Sequence, residues 1–168
     1  MTKWPQSAFP KKIVSNNFGI YIHIPYCLQR CTYCDFATYE KTQIMPPENY
    51  LLLLKEEVSQ KFSSSSLFGN RTVTSIYFGG GTPSLLPAEH IVTILDELAK
   101  HGLSRSPDAE ITIEINPATI DEKKLETYLQ HGVNRFSVGV QTFDDALLRS
   151  VRREHNEEQT RQTVELLS

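Results

Sequence analysis

Four short runs rich in Val, Ile, Tyr and Phe recur along the chain. Stretches of helical periodicity separate them and follow the last. This alternation leaves few folds open. The runs are "GIYIHI" (Gly19 to Ile24), "VTSIYF" (Val73 to Phe78), "EITIEI" (Glu110 to Ile115) and "RFSVGV" (Arg135 to Val140); each has strand length and strand composition. "PPENYLLLLKEEVSQKF" (Pro46 to Phe62) opens with Pro and acidic residues, as helix N-termini do. "PAEHIVTILDELAKHG" (Pro87 to Gly102) sets Ile91, Ile94, Leu95 and Leu98 on one face. It and "TIDEKKLETYLQHG" (Thr119 to Gly132) end at Gly, the favoured residue just past a helix. "NEEQTRQTVELLS" offers Asn156 as an N-cap. Strands alternating with helices predict βαβ units with right-handed crossovers, an α/β fold on a parallel sheet. "SSSS" (Ser63 to Ser66) and "FGNRT" (Phe68 to Thr72) read as a polar surface connection, so a single domain is expected over residues 19–168 after an N-terminal tail, 1–18.

Two loops interrupt the pattern, and both leave the C-terminal ends of strands, where parallel α/β folds bind ligands. One is "GGGTPS" (Gly79 to Ser84). It lacks the Gly-Lys-Ser/Thr ending of a phosphate-binding P-loop. Its glycines allow close backbone approach. The other is "YCLQRCTYCDF" (Tyr26 to Phe36), which holds all three cysteines of the 168 residues. An odd, clustered set of thiols argues against a disulfide framework. Zinc would need a fourth ligand, such as His23 or water. A redox pair of Cys31 and Cys34 leaves Cys27 unexplained. An iron–sulfur cluster held by three thiolates leaves one iron open for a small molecule.

Charge and hydropathy narrow the classes further. With 17 basic and 20 acidic residues and a net charge of -3, the chain has no nucleic-acid footprint. The first 17 residues contain no apolar core of a secretory signal. The longest apolar run, Leu51 to Leu54, is far short of the roughly 20 residues that span a bilayer. A soluble cytoplasmic protein is the simplest expectation.

Cys27-x3-Cys31-x2-Cys34, with an aromatic residue before the last cysteine, resembles the signature of the radical S-adenosylmethionine (SAM) superfamily. "IYIHIPYCLQRCTYCDF", "YFGGGTPSLL", "EINPATID" and "GVNRFSVGVQTFDDALLRSVRREH" extend the likeness over about residues 19–168. Together they resemble the group that holds oxygen-independent coproporphyrinogen III oxidases and HemW-type heme chaperones. The resemblance implies a partial TIM-type barrel of six β/α units, of which about four are present, truncated on the C-terminal side. It implies a 4Fe–4S cluster on Cys27, Cys31 and Cys34, with SAM on its fourth iron. One electron from the cluster would cleave SAM to methionine and a 5′-deoxyadenosyl radical.

The same resemblance assigns SAM contacts to Tyr21, Tyr33, Gly80, Gly81, Thr82, Glu114, Gln141 and Arg153. The residues alone read more plainly. Tyr21 is a half-buried strand aromatic, Tyr33 a shield against water, the glycines a tight turn and Arg153 a surface ion-pair former. Glu114 shares one strand face with Thr112 and Asn116, opposite Ile111, Ile113 and Ile115. A carboxylate there needs hydrogen-bond donors, and a ribose diol would suit.

Two functions share this scaffold. Family oxidases carry a further cysteine two residues after the third; here Cys34 is followed by Asp35 and Phe36. That favours a HemW-like heme chaperone over an enzyme of coproporphyrinogen decarboxylation. Its partners would be heme as cargo, heme-accepting proteins and an electron donor such as a flavodoxin or ferredoxin. A zinc-binding structural module is the reading from a different class.

Overall fold

The computed structural model describes residues 16–63 and 71–168. The expected surface connection falls mostly outside the described residues, as does the tail before residue 16. Twelve elements follow in order: β1 (Asn17–Ile24), β2 (Tyr26–Cys27), β3 (Tyr39–Glu40), α1 (Pro47–Ser63), β4 (Thr72–Gly80), a 3-10 turn (Pro83–Leu85), α2 (Ala88–Lys100), β5 (Arg105–Ile115), α3 (Glu122–Gln130), β6 (Arg135–Val138), α4 (Asp145–Ser150) and α5 (Glu157–Leu166).

The main sheet runs β1-β4-β5-β6, every neighbour parallel. Spatial order follows chain order without reversal, so the crossovers do not alternate faces as they do in a doubly wound sheet. Consistently, α1 packs on α2 and α2 on α3. This is the singly wound progression of a TIM-type barrel, as expected, here with four strands.

Alternation decides what each face carries. Ile22, Ile24, Ile76, Phe78, Ile111, Ile113 and Ile115 are buried under the helices. The α2 stripe Ile91, Ile94, Leu95 and Leu98 closes over them as the periodicity requires. The other face carries cross-strand rows: Tyr21 registers with Tyr77, Tyr77 with Thr112, and Thr112 with Arg135. One step along, His23 registers with Gly79, and Glu114 with Ser137. The concave face is therefore polar and aromatic, and it is where a site can form.

Several boundaries differ from the sequence reading. Strand β1 starts at Asn17, inside the stretch read as tail. Strand β5 starts at Arg105 rather than Glu110: Arg105 pairs with Val73, the chain bulges through Ser106 to Ala109, and pairing resumes at Glu110. Pro107 in that bulge makes the segment read as loop. Strand β6 stops at Val138, two residues early. Helix α4 was not anticipated, because six residues are too few for a 3.6 period to show. Its N-cap, Asp144, accepts from the N–H groups of Ala146 and Leu147. Among the described residues no helix is long and apolar enough to cross a membrane.

Tyr128 on α3 is fully buried, and its hydroxyl has no partner among the described residues. Burial pushes its pKa far up. An unpaired buried hydroxyl destabilises the fold. Tyr128→Phe is therefore expected to raise stability by about 1 kcal/mol, read as a higher urea midpoint; a lower midpoint would reveal a partner for the hydroxyl.

Candidate functional site

The cysteine loop leaves the end of β1 and is pinned at both ends. The small parallel ladder pairs Tyr26 with Tyr39 and Cys27 with Glu40. Tyr39 N–H donates to Pro25 O at 2.8 Å and Lys41 N–H to Cys27 O at 2.8 Å. Two residues per strand carry no legible period, so the ladder is silent in the sequence. The buried Tyr26 ring meets Tyr50 edge-on and donates its hydroxyl to Met45 O at 2.8 Å. Inside the loop, Cys34 N–H donates to Cys31 O at 3.1 Å and Arg30 to Cys34 O at 2.9 Å. The far side docks on the α4 end: Thr32 N–H donates to Val151 O at 3.2 Å, and Arg152 donates to the Gln29 side-chain oxygen.

His23 behaves as a strand residue. Its Nε2 lies 2.8 Å from Ala37 O and its Nδ1 3.1 Å from the Tyr21 hydroxyl, so both ring nitrogens are engaged. The ring also fills the space beside Gly80, where an added Cβ would come within 2.6 Å of it. Gly80 has φ +113, a conformation that L side chains rarely adopt. At Gly81 a Cβ would meet Tyr26 O at 2.5 Å. The bare backbone there lets Gly81 N–H reach Ile24 O at 2.8 Å and Thr82 N–H reach Tyr26 O at 2.7 Å. The glycine turn is thus stitched to the residues that lead into Cys27.

Glu114 is held by two donors on the neighbouring strand β4. Its Oε1 accepts from the Tyr77 hydroxyl at 2.7 Å and its Oε2 from Gly80 N–H at 3.1 Å. The strand carboxylate is satisfied within the chain, and each oxygen keeps a lone pair for a further donor. Arg153 reaches back from beyond α4. Its Nη2 donates to Gly139 O at 2.6 Å and to Asn116 Oδ1, and its Nη1 to Cys31 Sγ at 3.6 Å. Its Nε is buried without a partner among the described residues. His155, 4% exposed, stands behind: Nδ1 lies 3.1 Å from Asn116 Oδ1 and Nε2 3.1 Å from Val140 O. Burial first, and Arg153 nearby, lower the His155 pKa.

These elements enclose a cavity of about 360 Å³. Its lining contains every residue assigned by resemblance except Tyr21. Tyr21 is 59% exposed and stacks on Tyr77 at 6.1 Å between ring centroids, beside Glu114 rather than in the cavity wall. The lining also contains Asn116, Ser137, Gly139, Arg152 and Glu154, to which the sequence reading gave no role. Asn116 had one legible signal, its place on the Glu114 face.

The donor set fits an iron–sulfur cluster. All three cysteines are free thiols, partly exposed and facing this cavity. Burial raises the Cys27 thiol pKa, partly offset by hydrogen bonds with Thr38 and Thr82, so metal must displace its proton. Beside the sulfurs lie a bare glycine backbone, a carboxylate, an amide and a guanidinium, a set that suits a zwitterionic amino acid carrying a ribose.

The radical SAM superfamily pattern matches residues 21–168. Heme chaperone HemW of Buchnera aphidicola (subsp. Schizaphis graminum) is 40% identical over 88% of this chain and 38% of its own length. That of Escherichia coli is 36% identical over 89% of this chain and 39% of its own. The chain thus spans about two fifths of the curated relatives it matches. Among solved structures, Escherichia coli coproporphyrinogen III oxidase (HemN), a radical SAM enzyme, superposes with a TM-score of 0.78 at 32% identity. The superposition covers 87% of this chain and 33% of the other.

Two outcomes follow from the geometry. Gly81→Ala drives a Cβ into the Tyr26 carbonyl and should displace the approach to Cys27, cutting iron bound per chain severalfold; unchanged iron content would refute the close-approach argument. His155 titrates below its ordinary 6.5 in the folded state. Its contribution to stability is therefore complete above that ordinary value and fades as pH falls through the lowered one. Urea midpoints should drop across this acid window, and His155→Leu should flatten the drop.

Proposed function

The chain belongs to the radical SAM superfamily, and on that premise we propose that it forms the cluster- and SAM-binding core of a cytoplasmic, HemW-like heme chaperone. Cys27, Cys31 and Cys34 would hold a 4Fe–4S cluster, one iron each. When bound, the cluster and SAM supply one-electron reductive chemistry at the sulfonium. Around them, the Gly80–Thr82 backbone would accept the methionyl amino group. Arg153 and Gln141 would orient the carboxylate end, and Glu114, already fixed by Tyr77, would take the ribose hydroxyls. Tyr33, half-exposed over the loop, would cover the adenine. Tyr21 would approach from the neighbouring strand row. A flavodoxin or ferredoxin would deliver the electron, and heme would pass to acceptor proteins.

The observation that carries the chaperone reading is the residue two places after Cys34. Family oxidases present another cysteine there; this chain presents Phe36, 70% exposed and lining the cavity. The similarity to curated heme chaperones supports the same choice. The alternative, oxidative decarboxylation of coproporphyrinogen III, is favoured by the superposition on coproporphyrinogen III oxidase. A scaffold shared by both functions explains that superposition equally well.

The full-length protein, reconstituted anaerobically with iron and sulfide, should hold a cluster whose reduced spectrum changes when SAM is added. Cys31→Ala should hold none. Tight zinc and no cluster would overturn the reading. The loaded protein should bind heme and leave coproporphyrinogen III unconverted; efficient decarboxylation would establish the oxidase instead.

A further inference from the structure

All three non-glycine residues with positive φ among those described, Ala118 (67°), Gln141 (65°) and Arg152 (60°), lie within two residues of one buried hydrogen-bond cluster. Such backbone persists only where its surroundings over-determine it. The cluster centres on Asn116, at the end of β5. Its backbone is held from both sides: Thr119 Oγ1 donates to Asn116 O at 2.6 Å, and Asn116 N–H donates to Ser84 Oγ at 3.4 Å. Its side-chain oxygen meets the Arg153 guanidinium and, 3.1 Å away, His155 Nδ1. A donating Arg153 requires oxygen rather than nitrogen at that position, so the amide orientation is determined.

His155 extends the cluster to the opposite wall. Its Nε2 lies 3.1 Å from Val140 O, between Gly139, whose carbonyl receives Arg153, and Gln141 in its left-handed conformation. A neutral imidazole carries one N–H and faces two acceptor oxygens here, so His155 donates to one of them and packs against the other, between Asn116 and the turn that presents Gln141. Asn116 lines the cavity, and His155, 4% exposed, stands behind it.

We propose that Asn116 and His155 are a positioning pair, which sets the Arg153 guanidinium and the Gly139–Gln141 turn in the geometry that binds SAM. The inference rests on the reading that Arg153 and Gln141 contact SAM. Without Asn116 Oδ1, the guanidinium loses one of the acceptors that fix it and keeps Gly139 O and Cys31 Sγ. Without His155, whichever of the Asn116 and Val140 oxygens accepts its N–H loses that donor, and the packing between Asn116 and the Gln141 turn is lost.

The test uses the full-length protein with its cluster reconstituted. It reads iron content, the SAM dissociation constant by equilibrium dialysis, and the SAM-induced change in the electron paramagnetic resonance of the reduced cluster. Asn116→Ala and His155→Leu should each weaken SAM binding by about tenfold or more, the scale of a hydrogen bond to a charged group, with iron content unchanged. Asn116→Asp, which still accepts from Arg153, should restore affinity to within about threefold and restore the spectral change. The pair is refuted if Arg153→Ala loses SAM while Asn116→Ala and His155→Leu keep it, or if Asn116→Asp is as weak as Asn116→Ala. If Asn116→Ala fails to take up iron, His155→Leu and Asn116→Asp decide the question. If the unaltered protein holds its cluster but binds no SAM, the function proposed above fails and the pair falls with it.

Discussion

A parallel sheet laid down in chain order sends its crossover helices to one side, and most of what distinguishes this molecule follows from that constraint. The helix-covered face absorbs the apolar side chains, from Ile22 and Ile24 on β1 to Ile111, Ile113 and Ile115 on β5. The opposite face receives no layer from these helices. Its rows, with Tyr21, Tyr77, Thr112 and Glu114, must satisfy themselves by stacking and hydrogen bonding. Fold and site are therefore not separate designs. The same period-2 alternation that builds the core delivers a polar concave surface at the C-terminal ends of the strands.

The cysteine loop exploits that surface without depending on its own sequence for rigidity. It borrows order from four places: the β2/β3 ladder, the glycine turn through Tyr26 O, the strand residue His23 through Ala37 O, and the α4 end through Thr32 N–H. A loop that must hold three separately directed thiols cannot be a flexible tether. On the proposed function its thiols would bind a rigid inorganic group, and any freedom in the free state would be lost on loading. The bare backbone at Gly81 makes the second of these anchors possible, since a side chain there would collide with the carbonyl being contacted.

What was legible in the sequence is what depends on short-range pattern. The Ile111, Ile113 and Ile115 alternation and the α2 stripe repeat within a few residues, and both were read correctly in kind. Asn156 was legible as an N-cap because its partner Gln159 lies three positions on, completing a capping box. Asn116 and His155 were not. Their meaning lies in contacts 37 and 39 residues apart in the chain, Arg153 to Asn116 and His155 to Asn116; no local period marks His155, and the strand period puts Asn116 on the Glu114 face without saying what it does there. Arg153 shows the same limit. Its surroundings made it look like a solvated helix face, while the fold turns it inward onto Cys31 and Gly139. Strand β5 is the reverse case, a local Pro107 hiding a pairing that a distant partner, Val73, enforces.

The Arg153 cluster also explains why this part of the molecule tolerates its own costs. Among the described residues, a guanidinium with Nε buried and unpaired, a histidine withdrawn from water and three left-handed non-glycine residues are each unfavourable. A fold selected for stability alone would replace them with apolar side chains, as buried ion networks often can be at no loss. Their concentration around one cavity, next to a cysteine sulfur, is better understood as preorganisation. Dipoles and a positive charge fixed in advance need not be reorganised on binding, so on the proposed function the strain held there would lower the cost of recognising a charged molecule.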